Sequence, residues 1–380
     1  MDFELLSIGL FFGIIATLII IDRKNIEFGL MFIRRTERGR DRIKNFANSH
    51  KKFFNIFGNV AVVLAILLSV FGFLYLLRFQ SAVRLVLPKV FPGEVSAGVE
   101  KVVFFVPLWY WVIGLFVILI PHELFHGFLF AVEKIKIKST GLILFLIFPG
   151  GFVEPDEAQF KNSKPFTRMK VASVGSVANI CVAVLLIALT VLWNVLGSFL
   201  YQGVGVAFES TIPNTPADDA GLRGVITEIN GEKIRNLGDL SGLMEKVKPG
   251  EVIRVVTTEG EYDIKTIENP DNSSYSFIGI SSVSTKLEYK NGLNPLGDPS
   301  KSLAVYSWVS GLLGWVFMLD ISIAVANLLP FLPFDGGVIW EGIFEKITKK
   351  KGLAKKMIKV LSAVTYALLV INLIGLKVFG

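Results

Sequence analysis

Two of the three histidines in this 380-residue chain stand four positions apart, in Pro121-His122-Glu123-Leu124-Phe125-His126-Gly127. On a helix that spacing places both rings on one face, a single turn apart. Two imidazoles so placed can share one metal ion. Glu123 adds a carboxylate beside the first ring, where it can take and return the protons of a water held there. The pattern is the His-Glu-x-x-His spacing of zinc-dependent hydrolysis. The bland alternative is two helix histidines hydrogen-bonded to neighbouring segments. It is the weaker one, because ionisable groups in an apolar run are costly and usually functional.

The elements that carry these residues are apolar. The motif sits near one end of a run from Val102 to Val132, in a chain that is 52% hydrophobic with mean hydropathy +0.58. That is the composition of a membrane protein rather than a soluble domain. Net charge is +7, but residues 203–285 carry 7 basic and 13 acidic side chains. The excess Lys and Arg elsewhere suit the cytoplasmic face and anionic headgroups, not nucleic acid. Cys181 is the only cysteine, so no intrachain disulfide can form. Met1-Asp2-Phe3-Glu4 opens without a basic leader, and no cleaved signal peptide is expected.

About six spans are expected. Leu5–Ile21 is the first, and residues 22–52 follow with ten Lys and Arg against four acids. By the positive-inside rule this loop is cytoplasmic and the N-terminus is outside. His50, within it, reads as a solvated side chain. Phe54–Leu77 runs outward, residues 78–101 form an external connection, and the run ending at Val132 returns inward. His122 and His126 then fall in its cytoplasmic third, and Pro121 should kink it. Gly141–Val153 is too short to span and is broken at Pro149-Gly150-Gly151. It reads as a re-entrant, hairpin-like segment whose Gly150, Gly151, Phe152 and Val153 could offer a strand edge to an unwound peptide. Val171–Leu200 runs outward and holds Asn179. Residues 203–285 alternate short β-like runs with turns and form one small external domain, with a short amphipathic helix over Asp239–Val247. Ser307–Leu329 runs inward and ends in Asn327-Leu328-Leu329-Pro330-Phe331-Leu332-Pro333-Phe334-Asp335-Gly336-Gly337. Its prolines and glycines should end regular helix, placing Asp335 on broken backbone at the depth of the histidines. Seven lysines in residues 346–359 mark a cytoplasmic loop, and Val360–Phe379 is the last span.

These motifs resemble those of the site-2 protease family, the intramembrane zinc metalloproteases, over roughly residues 100 to 345. The family pairs its His-Glu-x-x-His helix with an Asn-x-x-Pro-x-Pro-x-x-Asp-Gly segment, which residues Asn327 to Gly336 resemble at Asn327, Pro330, Asp335 and Gly336, with the second proline one position later at Pro333. The resemblance implies that Asp335 is the third ligand of one Zn2+ per chain, beside His122 and His126. Residues 150–153 are similar to the family's membrane-inserted loop. Pro216-Ala217, Ala220-Gly221-Leu222 and Val225–Gly231 resemble a PDZ module. Phe334 stands where the family often has Leu, and Ser176 where many members have Pro in Gly-Pro-x-x-Asn.

The expected architecture is a polytopic α-helical membrane protein with a small extracytoplasmic PDZ-like domain. Its parts are two N-terminal spans (1–100), the first half of the catalytic core (101–202), the PDZ-like block (203–285), the second half (286–345), and a basic loop with the final span (346–380). The expected activity is hydrolysis of peptide bonds in or near the transmembrane segments of membrane-anchored proteins, from a site toward the cytoplasm. Glu123 is the expected general base, and Asn179 or Asn327 is a candidate to hold the oxyanion. The PDZ-like block would bind peptide tails or exclude bulky substrates. The competing expectation is a catalytically silent membrane adaptor acting through that block. A transporter is disfavoured by the lack of an internal repeat of the membrane segments.

Overall fold

A computed structural model describes residues 3–28, 31–37, 39–78, 83–91, 102–145, 148–270, 272–290 and 299–374. Among them, five helices are long and apolar enough to cross a membrane: α3 (Lys51–Arg78), α4 (Leu108–Val132), α6 (Pro165–Leu200), α9 (Pro299–Leu328) and α11 (Lys351–Ile374). The chain is thus a multi-pass helical membrane protein. The N-terminal helix α1 (Phe3–Ile21) is not one of the five, its described apolar part being only Leu6–Ile21. The sixth expected span is α11, and the expected end at Phe379 lies outside the described residues.

Helix faces explain why these segments suit lipid. On α3, Ala61, Ala65, Ser69 and Gly72 are buried at steps of four, four and three, a small-residue stripe that admits close neighbours. The opposite face turns Val63, Leu67 and Phe71 outward, each more than half exposed. In water such a face would be penalised, and in hydrocarbon it is satisfied. The buried stripe of α4 runs through Trp111, Gly114, Leu115 and Ile118 to His122 and His126. The two histidines therefore face protein, not lipid.

Two compact units are present. The first comprises residues 1–190 and 311–380. It contains a four-stranded antiparallel sheet of order β1-β2-β5-β6, with β1 (Ile26–Phe28), β2 (Phe32–Thr36), β5 (Ile137–Phe145) and β6 (Phe148–Pro155). The segment expected to be re-entrant and hairpin-like contributes two adjacent antiparallel strands, β5 and β6. The expected break at Pro149-Gly150-Gly151 is instead continuous strand, which an edge position allows because the partner bonds only one side. The basic loop, read only for its charge, supplies the other two strands. The short helix α2 (Arg40–Ser49) follows them. The expected third span begins later than Val102, because β3 (Leu85–Lys89) and β4 (Val103–Pro107) pair in parallel before α4 starts. Pro121 lies inside α4, which continues on both sides of it. Helix α5 (Glu157–Asn162) is capped by the Asp156 carboxylate, which accepts from Gln159 N–H.

Asp335 corrects an expectation. It opens a new helix, α10 (Asp335–Thr348), so the backbone break is confined to residues between Leu328 and Asp335. Gly336 and Gly337 belong to that helix. They serve close approach rather than helix breaking, since a Cβ on Gly337 would meet the Phe331 carbonyl at 2.6 Å and one on Gly336 would strike the carbonyls of Leu328 and Leu329. The break itself is held by α11. Ser362 Oγ accepts from Leu332 N–H at 3.0 Å, and Tyr366 donates to the Leu332 carbonyl at 3.3 Å. Irregular backbone among membrane helices needs such partners.

The second unit comprises residues 191–310. Its sheet has the order β12-β11-β9-β7-β16, formed by β7 (Tyr201–Ala207), β9 (Ile226–Ile229), β11 (Val252–Thr257), β12 (Glu261–Lys265) and β16 (Ser284–Tyr289), all antiparallel to their neighbours. The short strands β8 (Ser210–Thr211), β10 (Glu232–Lys233), β13 (Ile267–Glu268), β14 (Ser276–Phe277) and β15 (Ile280–Ser281) and the helices α7 (Pro216–Asp219) and α8 (Leu237–Met244) belong to the same unit. Val206, Ile226, Ile229, Ile253 and Val255 form its fully buried core, with Leu240 and Leu243 of α8 packed on it. In β11 the buried Ile253 and Val255 alternate with exposed Val252 and Arg254, the period-two signal of a half-buried strand.

Candidate metal centre

Three side chains from two helices converge. His122 Nε2 and His126 Nε2 lie 3.2 Å apart, and each is 3.3 Å from Asp335 Oδ2. Ligands of a tetrahedral ion at ~2.0–2.1 Å stand roughly 3.3 Å from one another, so this triangle has the edge length of a zinc site. Asp335 Oδ2 is buried without a hydrogen-bond partner among the described residues. A buried carboxylate oxygen facing two imidazole nitrogens is the donor set a divalent cation satisfies. The residues present therefore fit the ion that the motif implies. Among the described residues, they are the one His, Cys, Asp and Glu cluster with such spacing.

The supporting contacts orient the rings. The Val171 carbonyl on α6 accepts from His126 Nδ1 at 2.7 Å. A carbonyl can only accept, so the Nδ1 proton is fixed and the Nε2 lone pair points at the centre. Gly175, one turn further along α6, lies directly beneath both rings. A Cβ there would meet His122 Nε2 at 2.8 Å and collide with His126 Nε2. At the far end of α10, Glu345 pairs with buried Arg168 of α6, and Trp340 Nε1 donates to Ser69 Oγ at 2.8 Å. The helix that carries Asp335 is thus anchored on two neighbours.

Glu123 is adjacent to the centre, and its Oε2 accepts from Val153 N–H at 3.2 Å. A cavity of about 420 Å³ is lined by His122, Glu123, His126, Val153, Asn327 and Asp335, among others. Of the two candidate asparagines, Asn327 faces this cavity and Asn179 is not on its lining. Asn179 is fully buried, with both amide atoms unpartnered among the described residues. Of the candidate strand edge, Val153 reaches the cavity, and Gly150, Gly151 and Phe152 continue the same edge strand. His50 stands apart, exposed and bonded to the Phe46 carbonyl at 3.0 Å. Gly175 went unread as part of the site, because nothing in a Gly-Ser-Val-Ala-Asn stretch marks which helix it must approach.

A model of peptidase family M50 matches residues 110–372. The chain belongs to this family. These are the site-2 proteases that the two motifs resemble. The M50 chain is 27% identical over 336 residues to an uncharacterized protein of Methanocaldococcus jannaschii, covering 85% of this chain and 80% of that one. It is 22% identical over 255 residues to a Staphylococcus aureus protein named "Putative zinc metalloprotease", covering 52% of this chain and 57% of the other. The chain therefore spans a little over half the length of that second relative.

Proposed function

We propose that this M50 chain is an intramembrane zinc endopeptidase that cuts membrane-anchored proteins in or near their transmembrane segments. The observation that carries it is the triangle of His122, His126 and Asp335 with Glu123 beside it, on helices whose outer faces are apolar. A zinc ion held there would polarise the scissile carbonyl and lower the pKa of water to about 7. The Glu123 carboxylate takes a proton from the attacking water and passes it to the leaving amine as the C–N bond breaks. The Asn327 amide, on the cavity wall, donates to the developing oxyanion. A helical substrate must unwind first, because its amides are bonded within the helix. β6 is the edge strand of its sheet and reaches the cavity at Val153, so it can pair with the extended segment.

The lysines and arginines of residues 22–52 and 346–359 support a cytoplasmic side for those segments and for the cavity. By the same charge rule we infer that the block of residues 203–285, read as PDZ-like, is extracytoplasmic. It either recruits tails or excludes bulky substrates, and deleting residues 203–285 separates these by lost or broadened activity. The deciding experiment is cleavage of a single-span protein in liposomes by wild type and Glu123→Gln, with zinc measured in both. Cleavage by wild type alone, at equal zinc, supports the proposal. Equal cleavage by both, or none by zinc-loaded wild type, refutes it.

A further inference from the structure

Two buried polar side chains in the membrane helices take no part in the site described above. Asp320 of α9 is fully buried, and neither carboxylate oxygen has a partner among the described residues. Asn179 of α6 is equally enclosed with both amide atoms unpartnered, and so is Ser176 Oγ, one turn before it. Buried polar atoms nearly always find a protein or water partner. Among membrane helices an unmet group is a functional signal.

Helix direction brings the three to one level. α6 runs against α4, since Val171 meets His126 and Gly175 lies beneath His122. One further turn sets Asn179 near the level of Ile118. α9 runs with α4, since Gly114 faces Val316 and Leu319 while Asn327 shares the cavity wall with His122. Asp320 then falls between the levels of Leu115 and Ile118. It lies on the same face of α9 as Asn327, seven residues on. That face is turned away from α3, whose Gly72 meets Val325 and Leu329. Residues 111–121 of α4, 171–190 of α6 and 58–77 of α3 contain no charged side chain. An ion pair for Asp320 is therefore not at hand on these helices, and hydrogen bonding is.

We propose that Asp320, Asn179 and Ser176 form one buried polar cluster, closed by hydrogen bonds through ordered water, that clasps α9 to α6 behind the metal centre. Asp320 is a positioning residue. It acts on α6, whose Gly175 floors both imidazoles, and through its own helix on Asn327. The clasp stands without the proteolytic activity; only its kinetic readout rests on that activity.

The test exchanges the two groups. Asn179→Asp sets a second carboxyl against Asp320, and adding Asp320→Asn restores one carboxyl and one carboxamide. The full chain is purified in detergent, and its unfolding midpoint, zinc affinity, kcat and KM on a single-span substrate are measured. Asn179→Asp should lower the midpoint and cut kcat about tenfold or more with KM little changed, as expected for misplacement near the chemistry. The exchanged double variant should recover both toward wild type. No damage in Asn179→Asp, or equal damage in the double variant, overturns the clasp. Asp320→Leu and Asn179→Leu give a second check, because combined they should be no worse than the worse single change, and additive losses contradict the proposal. Should the wild type cleave nothing, midpoints and zinc affinity still decide the clasp, and only the proteolytic proposal falls.

Discussion

Glu123 Oε2 accepts a hydrogen bond from the backbone N–H of Val153, 3.2 Å away. The expected proton carrier and the edge strand are thereby fixed to each other. Val153→Pro removes that donor at an edge position where proline is tolerated. Turnover should fall by roughly tenfold, within the scale of one hydrogen bond to a charged group, while bound zinc stays constant. Steady-state cleavage with metal analysis on the same samples checks this. An unaffected rate would show that the bond does not hold Glu123 in use.

Gly175 supports both imidazoles through the absence of a side chain. Gly175→Ala should displace the rings and weaken zinc binding by about 10–100-fold, the range seen when ligand-orienting contacts are lost. Competition with a chelator of known affinity measures it. Wild-type affinity in this variant would mean that α6 can retreat freely.

Asn327 should show itself in kinetics. Asn327 lines the cavity, so Asn327→Ala should cut kcat by about 10²-fold, as for one lost oxyanion donor, with zinc content unchanged. An Asn327→Ala enzyme of normal turnover would remove it from the chemistry.

Substrate sequence should matter through helix strength. Gly costs a helix about 1 kcal/mol and Pro about 3 kcal/mol relative to Ala. Replacing Gly, Asn or Pro by Leu near the cut in a single-span substrate should therefore slow cleavage severalfold. Rates indifferent to these residues would argue that unwinding is not limiting.

Much of the centre was legible because its chemistry needs rare residues at strict spacing. With three histidines in the chain, the pair at 122 and 126 had few rivals, and Asn327 to Gly336 supplied the partner segment by resemblance. Membrane helices were legible from long apolar runs. Strands β1 and β2 were not, because Phe32-Ile33-Arg34-Arg35-Thr36 joins a sheet whose partner, β5, lies about a hundred residues on. β4 was hidden for another reason: Val103–Pro107 is as apolar as the helix it precedes, and hydropathy cannot divide them. Gly336 and Gly337 misled because helix propensity speaks of isolated helices, and here close packing on the Leu328–Phe331 backbone decides.

The central claim is that His122, His126 and Asp335 bind one zinc ion together. Zinc per chain, measured by mass spectrometry on protein purified with the metal supplied, tests it most directly. The account predicts about one equivalent for wild type and for Glu123→Gln, and a loss of most of it in Asp335→Ala under mild chelation. Zinc held as tightly by Asp335→Ala as by wild type would contradict it.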